Sequence, residues 1–228
     1  MAAAQAALDR ANQDAERIEL EISEETTFFT EPVTEDGLID YVAALNAHYG
    51  EGIANEDNAF VLMVQLFPPP EAGSYHEDSG YWEALYLELN IEKRADVPRF
   101  EFWDQYGEGV GLSADQADGM FDEAFVRPWT NEEFPELAAW LDDNEASLGL
   151  LAQSIARRDY YAPLVRVGED EPLIAVLLPH LSEQRRLARI LAIRGFQAMV
   201  AGDDRAMIGH LNLLHRMGKL ISNEPTLI

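Results

Sequence analysis

The chain has 228 residues and a mass of 25.6 kDa, enough for one large domain or two small ones with a sizeable core. It carries 42 acidic and 16 basic residues, a net charge of −26, so its surface repels nucleic acid and anionic lipid. Cysteine is absent, which excludes disulfides, thiolate metal sites, iron–sulfur clusters and cysteine catalysis.

The negative charge belongs to the first two-thirds of the chain. Residues 1–150 hold 34 acidic and 6 basic side chains, a net charge of −28, whereas residues 151–228 hold 8 and 10, a net charge of +2. This distribution favours a solvated acidic surface. The alternative interpretation is a surface that binds cations or a basic partner.

The N-terminal third is predicted to contain a polar arm followed by a helix. Residues 1–29 indicate a helical arm and linker, because alanines and apolar residues recur at helical spacing up to about Glu21. Thr34 and the acids after it predict a second helix, since first-turn acids suit its positive end. Its expected inward positions are Leu38, Tyr41, Val42 and Leu45.

Residues 30–165 are predicted to form a helical bundle. Asn55 is the expected N-cap of an almost wholly apolar helix over Ala59–Phe67, which three prolines end. Tyr81–Leu89 predicts a short amphipathic helix, Arg99–Tyr106 an aromatic turn or helix, and Ser113 the cap of a helix that reaches Phe125.

The next pattern predicts one helix of about seven turns. Thr130 and Glu133 have the three-residue offset of a capping box. Apolar residues recur from Phe134 to Ile155 at spacings of three, four and seven. Asn144 and Glu145 are the notable polar positions, because Glu145 lies on this stripe, four residues after Leu141 and three before Leu148. A buried carboxylate requires a cation or hydrogen-bond donors.

Residues 166–228 are predicted to form a helical hairpin packed on the bundle. Leu173–Leu178 favours a helix, and helical spacing continues from Leu181 to Val200. Gly202 and Asp203 suit a tight turn before Ala206–Ile221. Ser222, Asn223 and Pro225 resemble one more helix start, which predicts continuation in a longer native chain.

The polar positions predict one candidate pocket and no catalytic, cofactor-binding or metal-binding set. Arg157, Arg158, Arg189 and Arg194 are candidate partners for Glu145. The five histidines, His48, His76, His180, His210 and His215, are assigned surface or packing roles. The favoured interpretation of Glu145 is a buried ion pair that fixes helix register, and the alternative is a ligand pocket. The residues of this pocket are Asn144, Glu145, Arg194, Trp129, Tyr160 and Tyr161.

Several stretches together resemble an uncharacterised family of bacterial helical proteins that are often membrane-anchored. They are Glu25–Pro32, Asp40–Asn46, Glu56–Ala59, Arg127–Trp129, Trp140–Glu145, Tyr160–Leu164 and Leu187–Gly195. The resemblance implies a hydrophobic segment before this region and further helices after it, and it assigns no catalytic residue. The hairpin of Leu181–Ile221 also resembles a tetratricopeptide-like unit, of which the chain has one copy.

The sequence therefore predicts an all-α fold, an irregular bundle that ends in a tetratricopeptide-like hairpin. The expected function is a non-catalytic protein-interaction or scaffold module, without a cofactor, with a protein partner and without nucleic acid. The alternative is a hydrolase or small-ligand-binding protein that uses the pocket around Glu145. No run reaches the ~18 apolar residues of a membrane span, so no direct membrane insertion is expected. The compartment and the oligomeric state stay open, with the soluble part of a membrane-anchored protein as one option.

Overall fold

The chain is all-α in the residues that the structure, a computed structural model, describes: 21–67, 80–166 and 179–224. Nine helices and no β-strand occur in these ranges, which confirms the predicted fold class. The helices are α1 (Tyr41–Gly50), α2 (Ala59–Leu66), α3 (Tyr81–Glu88), α4 (Trp103–Gly109), α5 (Ala114–Val126), α6 (Pro135–Asp143), α7 (Glu145–Ile155), α8 (Pro179–Val200) and α9 (Asp204–Ile221).

The chain divides into two compact units, Met1–Ala44 and Leu45–Ile228. In the first, the helix predicted from Thr34 is wrong. Gly37 has a left-handed φ of 76°, and the Thr34 N–H donates to the Leu38 carbonyl over 2.7 Å, so this stretch forms a tight turn. Helix α1 begins at Tyr41 instead, where the Asp40 carboxylate accepts the Ala43 N–H at 3.0 Å.

Helix α2 is the buried apolar helix that the sequence predicts, and it packs on α7. Its predicted cap is wrong by one turn, because Asn58 and not Asn55 accepts the Phe60 N–H, at 3.0 Å. The Asn55 amide donates to the Leu89 carbonyl instead. Gln65, the polar residue of α2, is buried and bonded in both directions to the loop over 92–94. Thus α2 enters the core without an unsatisfied side chain.

Helices α4, α5 and α6 build an aromatic part of the core. Ser113 caps α5, as predicted, and the structure adds that it does so in a reciprocal capping box with Gln116. Trp103 and Trp140 meet edge to face with ring centroids 5.6 Å apart, and each indole N–H donates to a backbone carbonyl at 2.7 Å. These satisfied indoles let α4 and α6 pack closely.

The predicted seven-turn helix is wrong, because the chain breaks at Asn144 into α6 and α7. The buried Asn144 amide accepts the Glu101 N–H at 3.1 Å and donates to the Trp140 carbonyl at 2.9 Å. These bonds hold Asn144 between the two helices at φ −91° and ψ 8°. Thr130 accepts the Glu133 N–H, but α6 starts only at Pro135.

Helices α8 and α9 form the predicted hairpin. Gly202 takes the left-handed φ of 72°, and the Asp203 carboxylate accepts the Ala206 N–H at 2.9 Å. Helix α9 therefore begins at Asp204, two residues earlier than predicted. The likeness of this hairpin to a tetratricopeptide unit stays a prediction.

Some predictions fall outside the described residues. These are most of the helical arm, the segment Leu173–Leu178 and the helix start at Pro225. The boundaries predicted at residues 29 and 165 stay predictions. Among the helices that the structure does describe, none has the length and apolar character to cross a membrane.

Candidate functional site

The six residues of the predicted pocket lie in several places. Glu145 and Arg194 meet, and the Trp129 indole donates to the carbonyl of Ile193, next to Arg194 in the chain. Asn144 instead bonds the segment before α4. Tyr160 and Tyr161 bond Glu224 and Asn58, respectively. The described residues thus divide the predicted pocket into a surface ion pair and separate buried contacts.

The predicted burial of Glu145 is wrong, although Arg194 does pair with it. The side chain of Glu145 is 69% exposed, and its Oε2 lies 2.6 Å from Nη2 of Arg194. Arg194 is 17% exposed and also donates to Asp142 at 3.3 Å and Gln197 at 2.7 Å. The predicted stripe of Leu141, Glu145 and Leu148 requires one unbroken helix. The chain breaks at Asn144, so these three residues do not share the spacing of a single helix.

We expect Glu145→Ala to lower the free energy of unfolding by less than about 1 kcal/mol, because a well-exposed ion pair contributes little. Urea unfolding of the variant beside the unchanged protein measures this. A loss of several kcal/mol would mean that the carboxylate is buried in solution.

A polar groove of about 310 Å³ surrounds the Arg194–Glu145 pair. Asn131 and Gln197 join across it at 2.7 Å, and Asp203 and His210 also line it. Burial first, and then the charge of Arg194, lower the pKa of His210. Its Nδ1 is buried and has no hydrogen-bond partner in the described part of the chain. The groove therefore presents a neutral imidazole beside charged side chains at neutral pH.

A second cavity, the aromatic recess, has about 190 Å³ and lies between α4, α5, α6 and α8. Two arginines of α8 stack on phenylalanines at its wall. Arg186 lies 4.7 Å from the ring centre of Phe102, and Arg189 lies 4.9 Å from that of Phe121. Arg189 also pairs with Asp122. The lining residues are Phe102, Trp103, Asp104, Asp118, Phe121, Asp122, Trp140, Arg186, Arg189 and Ile190.

Seven of the ten residues that line the aromatic recess belong to one strongly acidic stretch, residues 101–145, here called the acidic segment. This segment has 13 acidic residues and one basic residue, Arg127. Five carboxylates pair with arginines, and eight form no ion pair in the part of the chain that the structure describes. The eight unpaired carboxylates are Glu101, Asp104, Glu108, Asp115, Asp118, Glu132, Glu136 and Asp143.

Several of these carboxylates share one neighbourhood. Burial first, and then the negative charges of Asp143, Glu101 and Glu136, raise the pKa of Tyr106. Asp104 and Asp118 both line the aromatic recess. Unpaired carboxylates that are up to 42 positions apart in the sequence therefore lie close to one another around α4.

A third feature, the buried polar cluster, joins Tyr81, Tyr160, His180, Gln184 and Glu224. The Tyr81 hydroxyl is 2.7 Å from Nδ1 of His180, and Nε2 of His180 is 3.2 Å from Oε1 of Glu224. Tyr160 donates to the same oxygen at 2.5 Å, and the Gln184 amide donates to Tyr160 at 2.5 Å. Burial, reinforced by the charge of Glu224, raises the pKa of both tyrosines. They therefore stay protonated donors at neutral pH.

Sequence reasoning missed the aromatic recess and this cluster. The sequence predicts a surface or packing role for His180, and Glu224 lies 44 residues after it. No local spacing connects Tyr81, His180 and Glu224. The acidic excess of residues 101–145 was the one signal available for the recess.

No protein-family model, no curated protein and no solved structure matches this chain. The resemblance to anchored bacterial helical proteins therefore stays a prediction. Within the described ranges, no group of three or more histidine, aspartate or glutamate side chains could hold a metal ion.

Proposed function

We propose that this chain is a non-catalytic helical interaction module that binds a basic segment of a protein partner. The observation that carries the proposal is the aromatic recess, where Asp104 and Asp118 form no ion pair with any residue that the structure describes. The binding surface consists of this recess and the surrounding acidic segment.

The chemistry of the aromatic recess suits a lysine or arginine side chain. Arg186 and Arg189 stack on phenylalanine rings at its wall, and the three carboxylates of the lining outnumber these two guanidinium groups. Asp104 and Asp118 supply carboxylates for an incoming cation. A volume of about 190 Å³ is below that of pockets for drug-sized ligands, so it suits one side chain.

The charge of the acidic segment favours a basic protein segment over nucleic acid. Its 13 acidic residues and one arginine repel phosphates and attract lysine and arginine. Complementary charge of this kind accelerates encounter and selects the partner, while the recess fixes one anchor. This pattern agrees with an interaction module that recognises exposed basic sequence.

We expect a labelled peptide of alternating arginine and serine to bind this chain, and a glutamate–serine peptide not to bind. Neutralising four unpaired carboxylates with D104N, E108Q, D118N and E132Q should weaken binding about tenfold or more at low salt, because each exposed charge contributes ~0.2–1 kcal/mol. Fluorescence anisotropy titration measures both peptides.

The matched control neutralises four exposed carboxylates outside the acidic segment, with E51Q, E56Q, E88Q and E92Q. It removes the same net charge and should change the affinity much less. An equal loss in both variants would show that only net charge attracts the peptide, and it would contradict a binding surface at residues 101–145.

A second candidate is binding of a small polar ligand in the groove around Arg194, which keeps the Glu145 neighbourhood as a site. The neutral His210 beside Arg194, in a groove of about 310 Å³, favours it. A fragment screen by nuclear magnetic resonance tests it through the ring signals of His210. Fragments that shift these signals, and whose own signals no longer change on mixing with a His210→Asn variant, would support this candidate. Absence of any shift at His210 would contradict it.

A further inference from the structure

Two oxygens of the buried polar cluster accept no hydrogen bond from the residues that the structure describes. The side chain of Glu224 is 5% exposed, and its Oε1 accepts from Tyr160 while its Oε2 accepts nothing. Gln184 is 2% exposed, and its Oε1 likewise has no partner. A buried acceptor without a donor is costly and rare in native proteins, so this pair requires an explanation.

The unpartnered oxygens belong to groups that meet at one hydroxyl. The Gln184 amide nitrogen and Oε1 of Glu224 each lie 2.5 Å from the Tyr160 hydroxyl oxygen. Each unpartnered oxygen is bonded to the same carbon as one of these two atoms. Both unpartnered oxygens therefore belong to side-chain groups that contact the Tyr160 hydroxyl, which places them in one neighbourhood.

The charge of Glu224 also lacks a permanent counterion. Among the described residues its ion-pair partner is His180, and neither a lysine nor an arginine reaches it. Isolating a carboxylate from water costs several kcal/mol unless positive charge or donors compensate it. The donors of the cluster, Tyr160 and His180, act on Oε1 alone.

We propose that Glu224, Gln184 and Tyr160 bind one monovalent cation, either an alkali metal ion or ammonium. Carboxylate, amide and hydroxyl oxygens are ligands for hard cations, and one carboxylate matches one positive charge. The cation would connect the residues after α9 to the first turns of α8 and to the segment after α7. This site is separate from the acidic segment and does not depend on the proposed function.

The test compares melting temperatures in potassium, sodium, ammonium and tetramethylammonium chloride at equal ionic strength and constant neutral pH. Tetramethylammonium supplies the same screening but is too large for a buried site and has no N–H donor. We expect a higher melting temperature in at least one small cation, rising with its concentration and levelling off as a site fills. A gain in ammonium alone identifies ammonium as the ligand, and a gain in potassium or sodium identifies a metal ion.

Two variants assign the effect to the cluster. Glu224→Gln removes the charge and offers an amide donor, so it should melt no lower than the unchanged protein in tetramethylammonium and lose the cation dependence. Gln184→Met, which keeps the carboxylate, should weaken that dependence. The exposed control Glu145→Gln should keep it in full. Equal melting in all four salts, or an unchanged cation effect in Glu224→Gln, would overturn the proposal.

Discussion

Trp140→Ala is expected to lower the free energy of unfolding by about 4 kcal/mol, the range for removing a buried large aromatic side chain. Trp140 is fully buried, and its ring meets Trp103 and Phe121 at centroid distances of 5.6 and 6.1 Å. Its indole N–H donates to the Glu101 carbonyl at 2.7 Å, which the alanine leaves unbonded. Urea unfolding followed by circular dichroism measures the loss.

Two companion variants make this result interpretable. Trp140→Phe keeps most of the buried volume and removes the indole N–H, so its loss should be clearly smaller. Leu87→Ala changes a large apolar residue that is 81% exposed, and it should leave stability nearly unchanged. Equal losses for Trp140→Ala and Leu87→Ala would contradict a core built around α4 and α6.

Asn58→Ala is expected to lower the free energy of unfolding by about 3 kcal/mol, the sum of a lost helix cap and two lost buried bonds. Asn58 is 1% exposed, and its Oδ1 accepts the N–H groups of Phe60 and Tyr161, both at 3.0 Å. Its Nδ2 donates to the Tyr161 carbonyl at 2.8 Å. One amide therefore caps α2 and fixes the segment after α7. Chemical denaturation measures the loss.

Asn55→Ala is the matched comparison, because Asn55 is the cap that the sequence predicts. Its amide makes a single bond to the Leu89 carbonyl, so we expect a loss of about 1 kcal/mol. A larger loss at Asn55 than at Asn58 would reverse the assignment of the cap.

The elements best predicted from the sequence are those whose signals are local. The turn of the α8–α9 hairpin is predicted by two adjacent residues, Gly202 and Asp203. Helix α2 is predicted by a short apolar run that prolines follow in the sequence. Ser113 and Gln116 form their capping box within four residues. Local steric and hydrogen-bonding preferences are sufficient in such cases.

The failures share a different cause, which is a bond to a distant residue. Asn144 ends α6 because it bonds Glu101, although apolar spacing continues through the break. Asn58, and not Asn55, is the N-cap of α2, and its amide also bonds Tyr161, 103 positions away. The buried polar cluster brings Tyr81 to His180 over 99 positions. Periodicity carries no information about such pairs, so the site geometry appears only in the folded chain.

The most direct measurement of the proposed binding surface is zero-length carbodiimide coupling to a lysine–serine peptide, followed by mass spectrometry of the linked fragments. The reaction joins a carboxylate to a lysine amine in contact with it, so it identifies the bound surface residue by residue. We predict links concentrated in residues 101–145, with Asp104 and Asp118 among them. Links spread evenly over other exposed carboxylates, such as Glu51, Glu56 and Glu88, would contradict the proposed surface.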